Sequence, residues 1–218
     1  MYKYVDYVDK YGRIMQFNKN KDVGIHRWYP FVEGYSREFI NSIVDEQSEE
    51  VELCMEPFSG SGTTALELSF RGIRCVSFEV NPFMYTLSKA KLKVSKYRTK
   101  TIKSHILKMR KYIASVVEQE IDLYSEFSTL VEGQEKKKWN LDRDVFIAIE
   151  KLKQAINSLS TPFYKEIYSV CLANILLEYS NLYRNGKCLS YRKNWKEINL
   201  SEADVFKKFD DKMDKEIK

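Results

Sequence analysis

The residues able to do chemistry gather in Glu56-Pro57-Phe58-Ser59-Gly60-Ser61-Gly62-Thr63-Thr64 and at Glu79. Gly60 and Gly62 lack a Cβ, so the backbone there can bend sharply and come close to a ligand. A helix that begins at Thr63 points its free N–H groups at that ligand and favours an anionic group on it. Glu79 follows the turn by about 20 residues, the separation at which a carboxylate meets the ribose of a nucleoside. It suits that task because it accepts hydrogen bonds from two hydroxyls at once. The bland alternatives are a glycine turn that binds nothing and a solvated strand-end charge. The length of the string and its spacing from Glu79 weigh against both.

The flanking residues predict the elements that would position this turn. Val51, Leu53, Cys54 and Met55 form an apolar run before it, and Ala65, Leu66, Leu68 and Phe70 follow at helical spacing. The order is strand, tight turn, helix, and ligands bind at such carboxyl ends of strands in α/β sheets. Ile73, Cys75, Val76, Phe78 and Val80 read as a second, short buried strand, entered through Gly72. Glu79 falls at its end, and Pro82 suits the first turn of a further helix with Leu87, Ala90, Leu92 and Val94 on its apolar stripe. Upstream, the aromatic cluster from His26 to Ser36 runs into a helix that Ser36 can cap, with Phe39, Ile40, Ile43 and Val44 inward. By composition alone that cluster is equally an ordinary loop packing its aromatics on a core.

Three kinds of site use such a turn. A phosphate-binding P-loop needs Lys followed by Ser or Thr after its last glycine, whereas Thr63-Thr64 follow Gly62. A dinucleotide fingerprint wants a third glycine where Ala65 stands, which leaves that reading weak. The third is the S-adenosylmethionine turn, in which an acidic residue ends the strand and the helix start meets a carboxylate. Glu56-Pro57-Phe58-Ser59-Gly60-Ser61-Gly62-Thr63-Thr64 closely resembles motif I of the DNA amino-methyltransferases, His26–Ser36 resembles their motif X, and Glu79 stands where motif II has its acidic residue. The resemblance covers roughly the first hundred residues. It implies an α/β fold with part of a Rossmann-like methyltransferase sheet and an appended helical subdomain. It also implies S-adenosylmethionine as cofactor, held by Trp28, Tyr29, Phe31, Glu56, Pro57, Ser59, Gly60, Gly62, Thr63, Glu79, Asn81 and Phe83. Phe83 would lie against the adenine ring.

What is missing bears on the reaction. Amino-methyltransferases complete their site with motif IV, Asp/Asn/Ser-Pro-Pro-aromatic, which accepts hydrogen bonds from the target amine and stacks on the extruded base. The four prolines, Pro30, Pro57, Pro82 and Pro162, are never adjacent. Asn81-Pro82-Phe83 lacks the second proline. Cytosine-C5 chemistry needs a nucleophilic cysteine, in that family directly after a proline, and Cys54, Cys75, Cys171 and Cys188 all lack one. No catalytic residue and no metal ligand is assigned to the chain. The expectation is the cofactor half of an adenine-N6 or cytosine-N4 DNA methyltransferase of restriction–modification type, with motif IV in a missing C-terminal part or a second chain. The rival is a non-catalytic S-adenosylmethionine- or DNA-binding module.

Past Val94 the composition turns helical. Ile102, Ile106, Met109, Tyr112, Ile113, Val116 and Val117 make one stripe, extended by Ile121, Tyr124, Phe127 and Leu130. Asp142 or Asp144 can cap a second helix, and Ser160-Thr161-Pro162 starts a third. Arg184, Lys187, Arg192, Lys193 and Lys196 then alternate with Tyr183, Tyr191 and Trp195 about a turn at Asn185-Gly186. Cations suit phosphates and aromatics suit stacked bases, so Arg184, Lys187, Tyr191, Arg192, Lys193 and Trp195 are read as DNA contacts. An idle basic hairpin fits them equally. Val205, Phe206, Phe209 and Met213 line one side of a charged helix from Ser201. The expected division is 1–97 for the α/β portion, 98–200 for the helical insertion and hairpin, and 201–218 for the last helix.

The 218 residues, 44% of them hydrophobic, can bury a sizeable core, and a formal charge of +5 fits polyanion partners. Cysteines without C-x-x-C spacing argue for reduced thiols and against zinc. With no secretory signal and no apolar run near 18 residues, the sequence points to a cytoplasmic protein, nucleoid-associated on DNA, and to no membrane partner. An open sheet with an unpaired edge predicts association, with the completing chain or as a homo-oligomer.

Overall fold

Residues of alternating character extend as Leu53–Glu56 (β1) and Arg74–Ser77 (β2). In the computed structural model, which describes residues 6–31, 33–123, 129–133, 137–186 and 188–216, the two strands pair in parallel. The register sets Leu53 against Arg74, Cys54 against Cys75, Met55 against Val76 and Glu56 against Ser77. Parallel pairing requires a crossover, and the crossover is helix Thr63–Phe70, buried from Thr63 to Leu68. The result is a βαβ unit of the α/β class, in the order that the sequence predicts.

These strands lie in the first of two compact units, residues 1–96 and 97–218. In order, the helices of the first unit are Val8–Tyr11 (α1), Arg37–Asp45 (α2), Thr63–Phe70 (α3) and Pro82–Leu92 (α4). The Ser36 hydroxyl caps α2 by accepting from the Phe39 N–H at 3.0 Å. Asn81 caps α4, its Oδ1 accepting from the N–H groups of Phe83 at 2.9 Å and Met84 at 3.2 Å, with Pro82 in the first turn.

Two expectations for this unit need correcting. The second strand is not buried. Val76 is 48% exposed and Phe78 54%, beside Leu53 at 56% and Met55 at 71% on β1. Side chains alternate across a strand, so these four share one face, which carries no covering layer among the described residues. A parallel strand is buried on both faces only when helices cover both. The inward stripe of α4 also differs. Leu87, Ser88, Ala90 and Lys91 are buried, whereas Leu92 is 42% exposed.

The second unit is helical: Thr99–Ser115 (α5), Arg143–Ser158 (α6), Pro162–Leu176 (α7) and Glu202–Glu216 (α8), with the antiparallel hairpin Leu182–Asn185 (β3) and Cys188–Tyr191 (β4). Its helices bury one face each, and α8 packs on both α6 and α7. The buried stripe of α5 is Ile102, His105, Met109 and Ile113. It ends at Ser115, because Val116 is extended, so Val116 and Val117 lie off the helix. His105 belongs to the stripe through a 2.9 Å hydrogen bond between its Nδ1 and the Tyr168 hydroxyl. Tyr124, Phe127, Glu135 and Lys136 lie outside the described residues. Among the described residues no helix is long and apolar enough to cross a membrane.

Phe209 is 1% exposed in this core. Phe209→Ala is expected to lower the unfolding free energy by about 3–5 kcal/mol. Phe206→Ala, at a half-buried position on the same helix, should cost clearly less. Urea titrations of the two variants compare them directly.

Candidate functional site

Glu56, at the end of β1, braces the glycine turn from one side. Its Oε2 accepts from the Tyr35 hydroxyl at 2.6 Å and the Thr64 hydroxyl at 2.8 Å, and its Oε1 accepts from the Phe58 N–H at 2.9 Å. Burial opposes ionisation of this carboxyl, but the hydrogen bonds from Tyr35, Phe58 and Thr64 outweigh it and hold its pKa below the ordinary value. Burial, with the bond to Glu56, pushes the Tyr35 phenol up to about 12. Glu56 thus ties the strand, the turn, α3 and the loop at Tyr35 together.

Glu79 braces the turn from the other side. Its Oε2 accepts from the Gly60 N–H at 2.7 Å and its Oε1 from the Asn81 N–H at 2.8 Å. The Ser59 N–H donates to the Phe78 carbonyl at 2.9 Å, so the turn also continues the pairing of the two strands. Gly60 and Gly62 have φ of +50° and +78°, the left-handed region that glycine adopts without strain. At Gly62 a Cβ would stand 2.4 Å from the Ser88 hydroxyl and 3.0 Å from the Ser88 Cα. The α4 backbone therefore rests directly on the turn. Lys91, one turn further along α4, is fully buried and donates to the Ser61 carbonyl at 2.9 Å.

A cavity of about 320 Å³ opens beside the turn, within the size range of ligand sites. It is lined by four residues expected from the sequence, Phe31, Pro57, Gly60 and Glu79, and by Glu33, Phe58, Phe78 and Val80. The Phe31 ring lies so close that a Cβ on Gly60 would meet it at 3.1 Å. Tyr29 and Phe83 meet edge to face, ring centroids 4.8 Å apart. Ser59 and Thr63 are buried in the turn, and the Ser59 hydroxyl has no hydrogen-bond partner among the described residues. Three other expected residues have internal roles: Trp28 is core at 2% exposure, Asn81 caps α4, and Glu56 is the brace.

A second buried polar group lies further along α3. Glu67 takes the His26 Nε2 at 2.7 Å on one oxygen and the Asn41 amide at 2.6 Å on the other. Burial opposes its ionisation, and the bonds from His26 and Asn41 depress its pKa nonetheless. His26 thus anchors the aromatic segment to α3.

In the second unit the hairpin forms about Gly186 as expected, at φ of +61°. Its aromatic and cationic residues divide. Arg192 donates to the carbonyls of Leu182 at 3.1 Å, Glu178 at 3.0 Å and Leu177 at 3.3 Å, closing the end of α7. The Tyr191 hydroxyl donates to Asn140 at 2.9 Å, and Trp195, 8% exposed, meets Trp139 edge to face at 4.8 Å. Arg184 and Lys193 are exposed, and Lys187 lies outside the described residues. Sequence reasoning passed over α5, which carries Lys100, Lys103, Lys108 and Lys111 on its exposed side and no acidic residue. Among the described residues none of these four lysines has an ion-pair partner. The signal is the charge pattern of the helix, four lysines on the face opposite its apolar stripe.

No protein-family model matches the chain, and no solved structure matches it. It is 22% identical over 180 residues to the Type II methyltransferase M.BsoBI of Geobacillus stearothermophilus, which is 82% of this chain and 34% of that protein. It is 26% identical over 129 residues to the Type II methyltransferase M.AvaI of a Nostoc species and of Anabaena variabilis, 59% of this chain and 22% of those proteins. The chain therefore spans about a third or less of the curated relatives it matches, and part of it is similar to Type II methyltransferases.

Gly62→Ala adds a collision with α4 to a disfavoured φ, and is expected to destabilise the first unit by about 1–3 kcal/mol. Gly72→Ala, at φ of +74° with open space around it, carries only the backbone cost of about 1 kcal/mol. Amide hydrogen exchange of α3 and α4 in the two variants measures the difference.

Proposed function

We propose that this chain is the S-adenosylmethionine-binding portion of a DNA methyltransferase that acts on adenine N6 or cytosine N4 in a restriction–modification system. A partial Rossmann-like sheet carries the site. The supporting observation is the convergence on one cavity of the Phe31 ring, the Gly60 turn and the Glu79 carboxylate, at the carboxyl ends of two parallel strands. The methyltransferase names of the relatives support the same reading.

The residues fit that ligand. Each Glu79 oxygen spends one acceptor site on a backbone N–H, which leaves further lone pairs for two ribose hydroxyls. Phe31, Tyr29 and Phe83 offer aromatic surface for the adenine. The start of α3 at Thr63 and the unpartnered Ser59 hydroxyl are the polar groups assigned here to its amino-acid end. S-adenosylmethionine bound here supplies a methyl group activated on a sulfonium sulfur. This chain binds and orients it and excludes water from one side. It does not polarise the target amine, since it lacks two adjacent prolines and the group that goes with them. That group comes from a further part of the protein or a second chain, seated on the exposed face of Leu53, Met55, Val76 and Phe78. The same lack keeps a second reading in play, a non-catalytic S-adenosylmethionine- or DNA-binding module.

DNA phosphates are contacted by the exposed cations Arg184 and Lys193, with Lys187, and by the lysines of α5. Tyr191, Arg192 and Trp195 support that hairpin from within.

Calorimetry of the chain with S-adenosylmethionine should show saturable binding, and Glu79→Ala should weaken it about tenfold to a hundredfold. Absence of heat with folded protein at millimolar ligand would remove the cofactor assignment. In DNA titrations from low to high salt, exchanging Lys100, Lys103 and Lys111 for Gln should flatten the logarithmic salt slope by about 0.9 for each phosphate left unneutralised. An unchanged slope places the phosphates elsewhere.

A further inference from the structure

The turn lacks a cation in its own sequence, yet α4 delivers one from behind. Lys91 is completely buried, and its ammonium donates to the Ser61 carbonyl. Two little-exposed lysines of the second unit do have a carboxylate: Lys151 pairs with Glu202 at 2.7 Å and Lys212 with Glu216 at 3.1 Å. In the first unit the acidic groups around the turn are already occupied. Glu67 is bonded to His26 and Asn41, Glu56 to Tyr35 and Thr64, and Glu79 to Gly60 and Asn81. Burial acts on the Lys91 ammonium and brings its pKa down to about 7.

An ammonium buried without a counter-charge destabilises the fold that holds it. Its placement here has a local consequence. The Ser61–Gly62 peptide is gripped at both ends: its carbonyl accepts from Lys91 at 2.9 Å, and its N–H donates to the Ser59 carbonyl at 2.8 Å. Gly62 is also the residue that opens α3, whose first N–H groups carry the positive end of the helix dipole. Both sources of positive potential therefore act at the base of one turn, and the buried one is poorly screened by salt.

We propose that Lys91 is a positioning residue that locks the Ser61–Gly62 peptide and supplies the buried counter-charge for the carboxylate at the amino-acid end of the bound cofactor. The proposal rests on the S-adenosylmethionine reading of the cavity. Lys91 acts through the Ser61 carbonyl and through its field, without touching the ligand. It explains why the turn dispenses with the lysine that a phosphate loop carries in its own sequence: one carboxylate needs less charge than a polyphosphate, and a cation behind the turn leaves its front open.

The test is calorimetry of the full chain with two unreactive ligands. S-adenosylhomocysteine carries the carboxylate, and 5′-methylthioadenosine has the same adenosyl thioether without the amino-acid end. Lys91→Met should lower affinity for the first about tenfold or more and leave the second within about twofold. Lys91→Gln, which keeps a donor for the Ser61 carbonyl but no charge, should show the same selective loss. Folding is checked on the ligand-free proteins. A lysine pKa depressed in the fold costs stability fully below about pH 7, and the cost fades as pH rises toward the ordinary 10.5. Lys91→Met should therefore melt above the parent at pH 6, with the gap closing by pH 10. Equal losses for both ligands would reduce Lys91 to a structural prop, and undiminished binding of S-adenosylhomocysteine would overturn its role altogether. If the parent chain binds neither ligand, the cofactor reading falls and the proposal with it.

Discussion

The contact between Gly62 and α4 constrains everything around it. With φ in the left-handed region and the Ser88 side chain occupying the place a Cβ would need, the turn can lie against the helix in one way only. That contact sets where α3 begins, and so where its first N–H groups point. It also brings Lys91 to the Ser61 carbonyl, and it leaves Gly60 free to face outward, where Glu79 and Phe31 meet it. A side chain at position 62 would push the helix off, and the two braces would lose their common object.

The two glutamates at the strand ends divide the labour. Glu56 spends its oxygens on Tyr35, Thr64 and the turn backbone, so it belongs to the scaffold. Among the described residues Glu79 accepts from two backbone N–H groups alone, half-buried at the edge of the cavity, and so retains further acceptor sites. Two carboxylates of similar sequence context thus differ because one is enclosed by hydroxyl donors and the other stands at an opening. The uncovered face of Leu53, Met55, Val76 and Phe78 follows from the same economy. A βαβ unit covered on one side by α3 leaves its other side available, whereas parallel sheets are found almost only with both faces covered.

The second unit shows how a polar-looking segment can be internal. Arg192, Tyr191 and Trp195 read as surface chemistry because cations and aromatics alternate there. Yet the end of α7 has carbonyls to satisfy, and Arg192 is the donor that reaches them. Among the described residues a further row of exposed lysines lies on α5, along the face opposite Ile102, His105, Met109 and Ile113.

Local sequence rules determined the order strand, glycine turn, helix, strand, the cap at Ser36, the helix start at Pro82, the hairpin about Gly186, and the separation of Glu79 from the turn. Each depends on backbone conformation or on spacing within a few residues, which the chain carries in itself. Only the tertiary structure decided that Lys91 rather than Leu92 faces inward, that Glu56 is consumed by Tyr35, that Trp28 is core while Phe31 borders the cavity, and that one face of the sheet stays bare. Those outcomes depend on which distant residues arrive beside each side chain, and a difference of one position along a helix, about 100°, exchanges buried for exposed.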